Sequence, residues 1–252
     1  MVKSAGGLRL TVLGFGGWLS DPAFGQSAYL LECGGIRILM DCGEGCVEGL
    51  RSCCSLDVTD LTAVLITHAH GDHVLGLPTL LQRAKHAGVR LTVAALPEVL
   101  DSIKELLKAL QIPEYFDYVN EVPLKYGAEV SLAGFSVKAF RAEHKVPSAS
   151  LAVRVCGKLV AYSGDSWPND EFLKGVEGAD LLIHEVSMPY GLVDVARECG
   201  HTPAELVGHV VSVARPKVFM PTHYYVSPPA IEADSLAGCS VIMPAKCLKV
   251  WL

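Results

Sequence analysis

The run Thr67-His68-Ala69-His70-Gly71-Asp72-His73 places three imidazoles and a carboxylate within six residues, directly after the apolar segment Ala63-Val64-Leu65-Ile66. A buried strand ending in such groups is costly unless something binds them, and neutral imidazoles with a carboxylate suit zinc, manganese or iron. Further residues of the same types recur at strand ends. Asp41 follows Ile36 to Met40, and His144 stands alone before a strand. Asp165 follows Leu159 to Tyr162, and His223 follows Val218 to Met220. Any one of these alone reads more readily as structural. Their recurrence beside the histidine cluster points to a metal centre.

Short apolar runs supply the elements that must position these groups. Strands are expected over Leu8 to Leu13, Ala28 to Leu31, Ile36 to Met40, Ala63 to Ile66 and Leu91 to Ala94. A second set covers Val137 to Phe140, Ser150 to Val155, Leu159 to Tyr162, Leu181 to His184 and Val218 to Met220. Helix-like stretches lie between them at Leu77 to Ala87, Pro97 to Leu110, Asp170 to Lys174 and Pro203 to Val213. Early hairpin-like strands followed by strand-helix alternation indicate an α/β protein of two mixed sheets with helices outside. Both halves repeat an apolar strand that ends in a carboxylate or histidine, a hint of internal duplication.

The 252 residues show no linker or low-complexity segment, so one domain over 1–252 is expected, and half the residues are apolar. A formal charge of −6 argues against broad attraction to nucleic acid, though two bound divalent cations would offset much of it. No segment has the length of a membrane helix and the N-terminus lacks a signal-like apolar core, so a soluble, cytoplasmic protein is expected. Nine cysteines in apolar positions such as Cys33, Cys156 and Cys239 suit reduced, buried thiols better than a disulfide framework. The group Cys42, Cys46, Cys53 and Cys54 matches no common zinc spacing and reads as packing. Gly14-Phe15-Gly16-Gly17 is not a dinucleotide loop, because Trp18-Leu19-Ser20-Asp21-Pro22 looks like an extended turn rather than a helix.

The order His-x-His-x-Asp-His, then His, Asp and His resembles the metallo-β-lactamase superfamily. Asp41-Cys42-Gly43-Glu44-Gly45, Gly71 to Pro78, His144 with Val146-Pro147-Ser148, Tyr162 to Asp165, Asp180 to Glu185 and Gly200-His201-Thr202 resemble ribonuclease Z within it. That enzyme family trims transfer RNA precursors at the 3′ end. The resemblance implies a four-layered αβ/βα sandwich with two divalent metal ions, zinc first and manganese or iron as alternatives. It implies that His68, His70 and His144 hold one ion and Asp72, His73 and His223 the other, with Asp165 bridging and Asp41 orienting an imidazole. Asp72, Glu185 and His201 are the catalytic residues it implies, Glu185 and His201 as a proton-donating pair.

Thr202-Pro203-Ala204-Glu205 reads independently as a helix start with a capping box and proline at the first helical position. That would set His201 just before a helix N-terminus. His86 and His209 read as surface or satisfied residues, and His184 as a loop-orienting one. Between Val146 and Gly164 there is room for only two strands and a turn at Gly157-Lys158, so the transfer RNA-binding arm of many relatives is absent. Pro203 also departs from the family pattern. The expected partner is RNA, such as a transfer RNA precursor. The alternatives are a small diester such as a cyclic nucleotide, then a thioester, then a metal-binding module without turnover. A homodimer could serve in place of the arm.

Overall fold

The computed structural model describes residues 7–19, 21–225, 227–236 and 238–252. The first sheet contains β1 (Arg9–Gly14), β2 (Ala28–Cys33), β3 (Ile36–Met40), β4 (Ala63–Leu65), β5 (Leu91–Ala95) and β6 (Val119–Pro123). The second contains β7 (Glu129–Leu132), β8 (Phe135–Arg141), β9 (Ala149–Val155), β10 (Lys158–Tyr162), β11 (Leu181–Glu185), β12 (Val218–Thr222) and β13 (Ser240–Val241). The last strand, β14 (Lys249–Trp251), returns to the first sheet. The helices are α1 (Cys46–Cys54), α2 (Gly71–Val74), α3 (Leu77–Ala87), α4 (Pro97–Ala109), α5 (Asp170–Gly175), α6 (Val193–Cys199) and α7 (Val207–Ala214).

The sheet orders are β14-β1-β2-β3-β4-β5-β6 and β13-β12-β11-β10-β9-β8-β7. Each sheet is antiparallel at one end and parallel at the other, the switch falling at β3–β4 in one and β10–β11 in the other. That shared plan is the structural counterpart of the repeated strand-end theme. It also has a functional consequence. Parallel neighbours β3 and β4, and likewise β10, β11 and β12, deliver their C-terminal ends to one edge, the place where open α/β sheets gather ligand-binding residues.

Side-chain alternation explains the layers. In β9 to β12, Leu151, Val153, Val160, Tyr162, Leu181, Ile183 and Met220 join the core shared with the first sheet. Their neighbours Ala152, Leu159, Ala161, Leu182 and Phe219 join a second core with Phe172 and Leu173 of α5 and Val207, Val210 and Val211 of α7. A period of two thus sends one set between the sheets and the other beneath helices. Leu80, Leu81 and Ala84 of α3 and Val99, Leu100 and Ile103 of α4 cover the first sheet's side, completing the four-layered αβ/βα sandwich. A strand covered on both faces reads as an unbroken apolar run, which is why these strands were legible.

Three expectations need correction. The first is the reduced state of the thiols: Cys33 pairs with Cys156 and Cys53 with Cys247 in disulfides. The partners lie 123 and 194 residues apart, so only the tertiary fold, never local spacing, brings them together. The Cys33–Cys156 bridge ties the end of β2 to the β9–β10 turn, one sheet to the other. Cys42, Cys46, Cys54, Cys199 and Cys239 are free. The second concerns Pro203 to Val213, which is not one helix: a 3-10 turn at Ala204–Leu206 precedes α7. Pro203 sits before that turn with extended backbone, and the capping box does not form. The Thr202 hydroxyl instead donates to the Ser166 carbonyl and Glu205 accepts from the Gly191 amide, so both would-be caps are engaged elsewhere. The third is the tight turn, which is Cys156-Gly157 rather than Gly157-Lys158, both residues having positive φ.

At Gly14 a Cβ would run into the Gln26 carbonyl, so only glycine permits the close approach of the two segments there. None of the described helices is long and apolar enough to cross a membrane.

Candidate metal centre

The strand ends bring the predicted residues together in three overlapping groups. His68, His70, His144 and Asp165 form one, Asp72, His73, Asp165 and His223 a second, and Glu185, His201 and His223 a third. In each group one potential ligand atom per residue lies within 4.8 Å of the others. Asp165 belongs to the first two and His223 to the last two. All seven residues that the resemblance implied as ligands therefore converge on one edge, with the Glu185–His201 pair beside them.

Surrounding groups orient each ring. The Thr67 hydroxyl donates to Asp41, so its oxygen is left to accept from His68 Nδ1 at 3.0 Å. His73 Nδ1 donates to Asp41 Oδ2 at 2.7 Å, and His144 Nδ1 to the Gly200 carbonyl at 2.9 Å. The Ser187 hydroxyl donates to Glu185, leaving its oxygen to accept from His223 Nδ1 at 2.7 Å. Every one of these partners is an acceptor. One ring proton is thereby held on Nδ1, which turns Nε2 toward the centre as a metal needs; in His223 that Nε2 lies 3.0 Å from Asp72 Oδ2, where a proton can stand in for a cation. His70 is turned the other way, with its Nδ1 3.1 Å from His144 Nε2.

The inner atoms test whether a cation fits. His68 Nε2, His73 Nε2 and Asp165 Oδ1 are buried without a hydrogen-bond partner, although the last two lie only 3.2 Å apart. Buried polar atoms are rarely left in this state. A cluster of lone pairs facing one another is stable only around protons or cations, so the donor set fits divalent ions.

The electrostatics divide the site. Burial pushes the imidazoles of His68, His70 and His144 below the ordinary histidine value, keeping them neutral. Burial acts the same way on His73 and His223, but Asp165 and its fellow carboxylates outweigh it and raise both, His223 to about 10. Asp72 and Asp165 are held well below the usual carboxylate range, desolvation being overcome by His73 and His223. His201 Nδ1 lies 2.9 Å from Glu185 Oε1. For His201 too, burial is outweighed by the carboxylate and the imidazole is raised. Glu185 also accepts from the Ser166 amide at 2.7 Å and from Ser187, which leaves it little capacity to bind a cation.

Sequence reasoning missed the residues that orient the ligands through hydroxyls. Thr67, Tyr162, whose hydroxyl donates to Asp41 at 2.8 Å, and Ser187 all lie within a few residues of a named site residue. Tyr225 was also missed; its ring lies 5.6 Å from that of His223, while Trp18 lies 6.1 Å from His70. His184 donates through Nδ1 to the Glu185 carbonyl, His209 pairs with Asp170 at the surface and His86 is exposed. The α7 start lies six residues beyond His201, so no helix N-terminus immediately follows that imidazole.

A family model described as "Beta-lactamase superfamily domain" matches residues 36–224. Ribonuclease Z of Ignicoccus hospitalis is 27% identical, covering 86% of this chain and 87% of its own length. That of Archaeoglobus fulgidus is 28% identical, with 85% and 86% covered. The crystal structure of the short form of human tRNase Z superposes with a TM-score of 0.77 at 25% identity, covering 96% of this chain and 98% of that one. The metallo-β-lactamase fold protein YhfI of Bacillus subtilis gives 0.81 at 20% identity, again over 96% and 98%. Taken with the two seven-stranded sheets and the strand-end cluster, these matches show that the chain belongs to the β-lactamase superfamily, as a metal-dependent hydrolase with a ribonuclease Z-like sequence.

Proposed function

We propose that the chain, as one domain over 1–252, is a dinuclear phosphodiester hydrolase whose substrate is RNA, transfer RNA precursors being the first candidate. The observation that carries this reading is the pair of four-residue groups sharing Asp165, together with the Glu185–His201 pair at hydrogen-bond distance. His68, His70 and His144 would hold one ion and Asp72, His73 and His223 the other, with Asp165 common to both. Zinc suits this set, as do manganese and iron. Two such cations would polarise a phosphodiester and acidify an attacking water.

The chain's own residues do the rest. Asp41, Thr67, Ser187 and the Gly200 carbonyl lock the ring orientations before substrate arrives. Asp72 and Asp165 balance the positive charge of the centre. Glu185 holds His201 Nδ1 and favours its protonated form, leaving Nε2 to deliver a proton to the leaving oxygen. The named activity of the relatives, ribonuclease Z, supports RNA over other diesters.

One observation favours a second reading, a phosphodiesterase for small substrates. The β9–β10 connection is a two-residue turn, so the chain has no protruding arm there. The 265 positions aligned with the Ignicoccus relative likewise exceed this 252-residue chain, so that relative carries insertions. Parallel assays with zinc or manganese decide between them. Cleavage of a transfer RNA precursor at its trailer junction supports the RNA reading. Turnover only of a cyclic nucleotide or a chromogenic diester supports the second. Turnover of neither, with a thioester hydrolysed instead, overturns both.

A further inference from the structure

A cleft of about 310 Å³ opens beside His144, lined by Arg141, Glu143, Lys145, Trp167, Arg197 and Glu198 along with Gly200. Its volume is at the lower end for small-ligand sites and suits a single nucleotide. Many of the molecule's cations are held in ion pairs, Arg9 and Arg37 with Glu32, Arg83 with Asp57, Lys85 with Glu114, Lys104 with Glu121, and Lys158 and Lys217 with Asp180. Among the described residues, Arg141, Lys145 and Arg197 form no such pair, although Glu143 and Glu198 are close at hand. The Arg197 guanidinium lies over the Trp167 ring, 5.7 Å from its centroid. Two stacked planar groups beside two free cations match what a nucleobase and its phosphate require.

The cleft is joined rigidly to the centre. Gly200 accepts from His144 Nδ1, and His201 follows it. A Cβ on Gly200 would lie 2.7 Å from His144 Cα, and its φ is +74°, so no larger residue fits where cleft and centre meet. The rings of His144 and His201 are 5.0 Å apart. The cleft thus adjoins the centre at His144 and Gly200, one residue from the proton-donating candidate His201.

We propose that this cleft seats the nucleotide on the leaving-group side of the cleaved bond, its base stacked on the Trp167–Arg197 pair and its phosphate held by Arg141 and Lys145. The inference rests on the phosphodiesterase reading. It makes Trp167 and Arg197 positioning residues that select a nucleic acid strand over a bare diester. Glu143 and Glu198 temper the positive walls, so binding depends on the stack as well as on charge.

The test is fluorescence anisotropy of a labelled single-stranded decamer RNA with phosphorothioate linkages, which resist hydrolysis, on metal-loaded protein. The Trp167→Ala/Arg197→Ala double variant should bind about ten- to a hundred-fold more weakly, the scale of one lost stacking contact. Arg215→Ala, an equal loss of surface charge away from the cleft, should stay within about two-fold, as for an exposed pair. Equal binding by wild type and double variant, or no binding by wild type, overturns the proposal. Should the double variant not fold, Arg197→Glu alters only an exposed side chain and must weaken binding in the same direction. Wild-type turnover of bis(p-nitrophenyl) phosphate is measured separately. Its absence would sink the phosphodiesterase reading while leaving the binding result to be judged alone.

Discussion

The two halves of the centre are built from the same residue types but balance charge differently. The inner group, Asp72, His73, Asp165 and His223, is wholly buried and has two carboxylates. The outer group, His68, His70, His144 and Asp165, has one, and His70 and His144 are only partly covered. Without a cation the inner carboxylates draw protons onto His73 and His223, whereas the outer imidazoles stay neutral. On the proposed reading the inner half would be a preset counter-charge for a cation, and the outer half an open face where substrate could meet the second ion. The difference teaches that one motif can give one buried, charge-balanced half and one more open half.

The largest effect is expected where the halves meet. Asp165→Ala removes the residue they share, and turnover of any diester should fall about a thousand-fold or more, several kcal/mol of charge stabilisation. Metal analysis of the purified variant should show loss from both halves. A variant that keeps its ions and its rate would remove Asp165 from the centre.

His201 is a member of neither half, although its ring lies beside those of His144 and His223. His201→Ala should slow cleavage by about 10²- to 10⁴-fold, the range for a lost general acid, with metal content unchanged. The loss should shrink for a p-nitrophenolate leaving group, which needs no proton. An equal loss with both leaving groups would contradict a proton-donating role.

Acidity separates the halves more gently. His223 is raised in the metal-free protein, so the stability it contributes is complete below an ordinary histidine pKa of about 6.5 and is lost as pH climbs toward about 10. Chelator-stripped protein should therefore lose thermal stability between those values. Metal-loaded protein should not, because a cation replaces the proton. Parallel unfolding curves with and without chelator would refute the coupling.

The smallest effect should lie away from both halves. Arg83 holds the Asp57 carboxyl at about 2, so that pair contributes above an ordinary carboxylate pKa of about 4 and is lost as pH falls toward 2. Both side chains are about one-third exposed, so Asp57→Asn should cost no more than about 1 kcal/mol at neutral pH. Denaturant titration would show the difference vanishing by pH 2, with metal content untouched throughout.

Much of this arrangement was legible because the strands are short, apolar on both faces and end abruptly in His or Asp. Ile36–Met40 and Leu77–Ala87 carry the expected bounds. What stayed hidden depends on long-range or weak signals. β7 alternates exposed and half-buried residues in a strand of only four, and β14 has only three residues, completed by pairing with β1. The disulfides join residues more than a hundred positions apart. Thr202 followed by Glu205 satisfies a local capping pattern, yet tertiary partners, the Ser166 carbonyl and Gly191 amide, claim both side chains. Ser187 carries no local sequence signal of its own; the fold places it between Glu185 and His223.

The most direct test is a calorimetric titration of zinc into chelator-stripped protein, repeated with Asp72→Asn. Wild type should take up two ions per chain in two resolved steps, and the variant should lose the tighter step while keeping the weaker. A single ion per chain, or a variant in which only the weaker step changes, would contradict a centre divided into a buried, charge-balanced half and an open one.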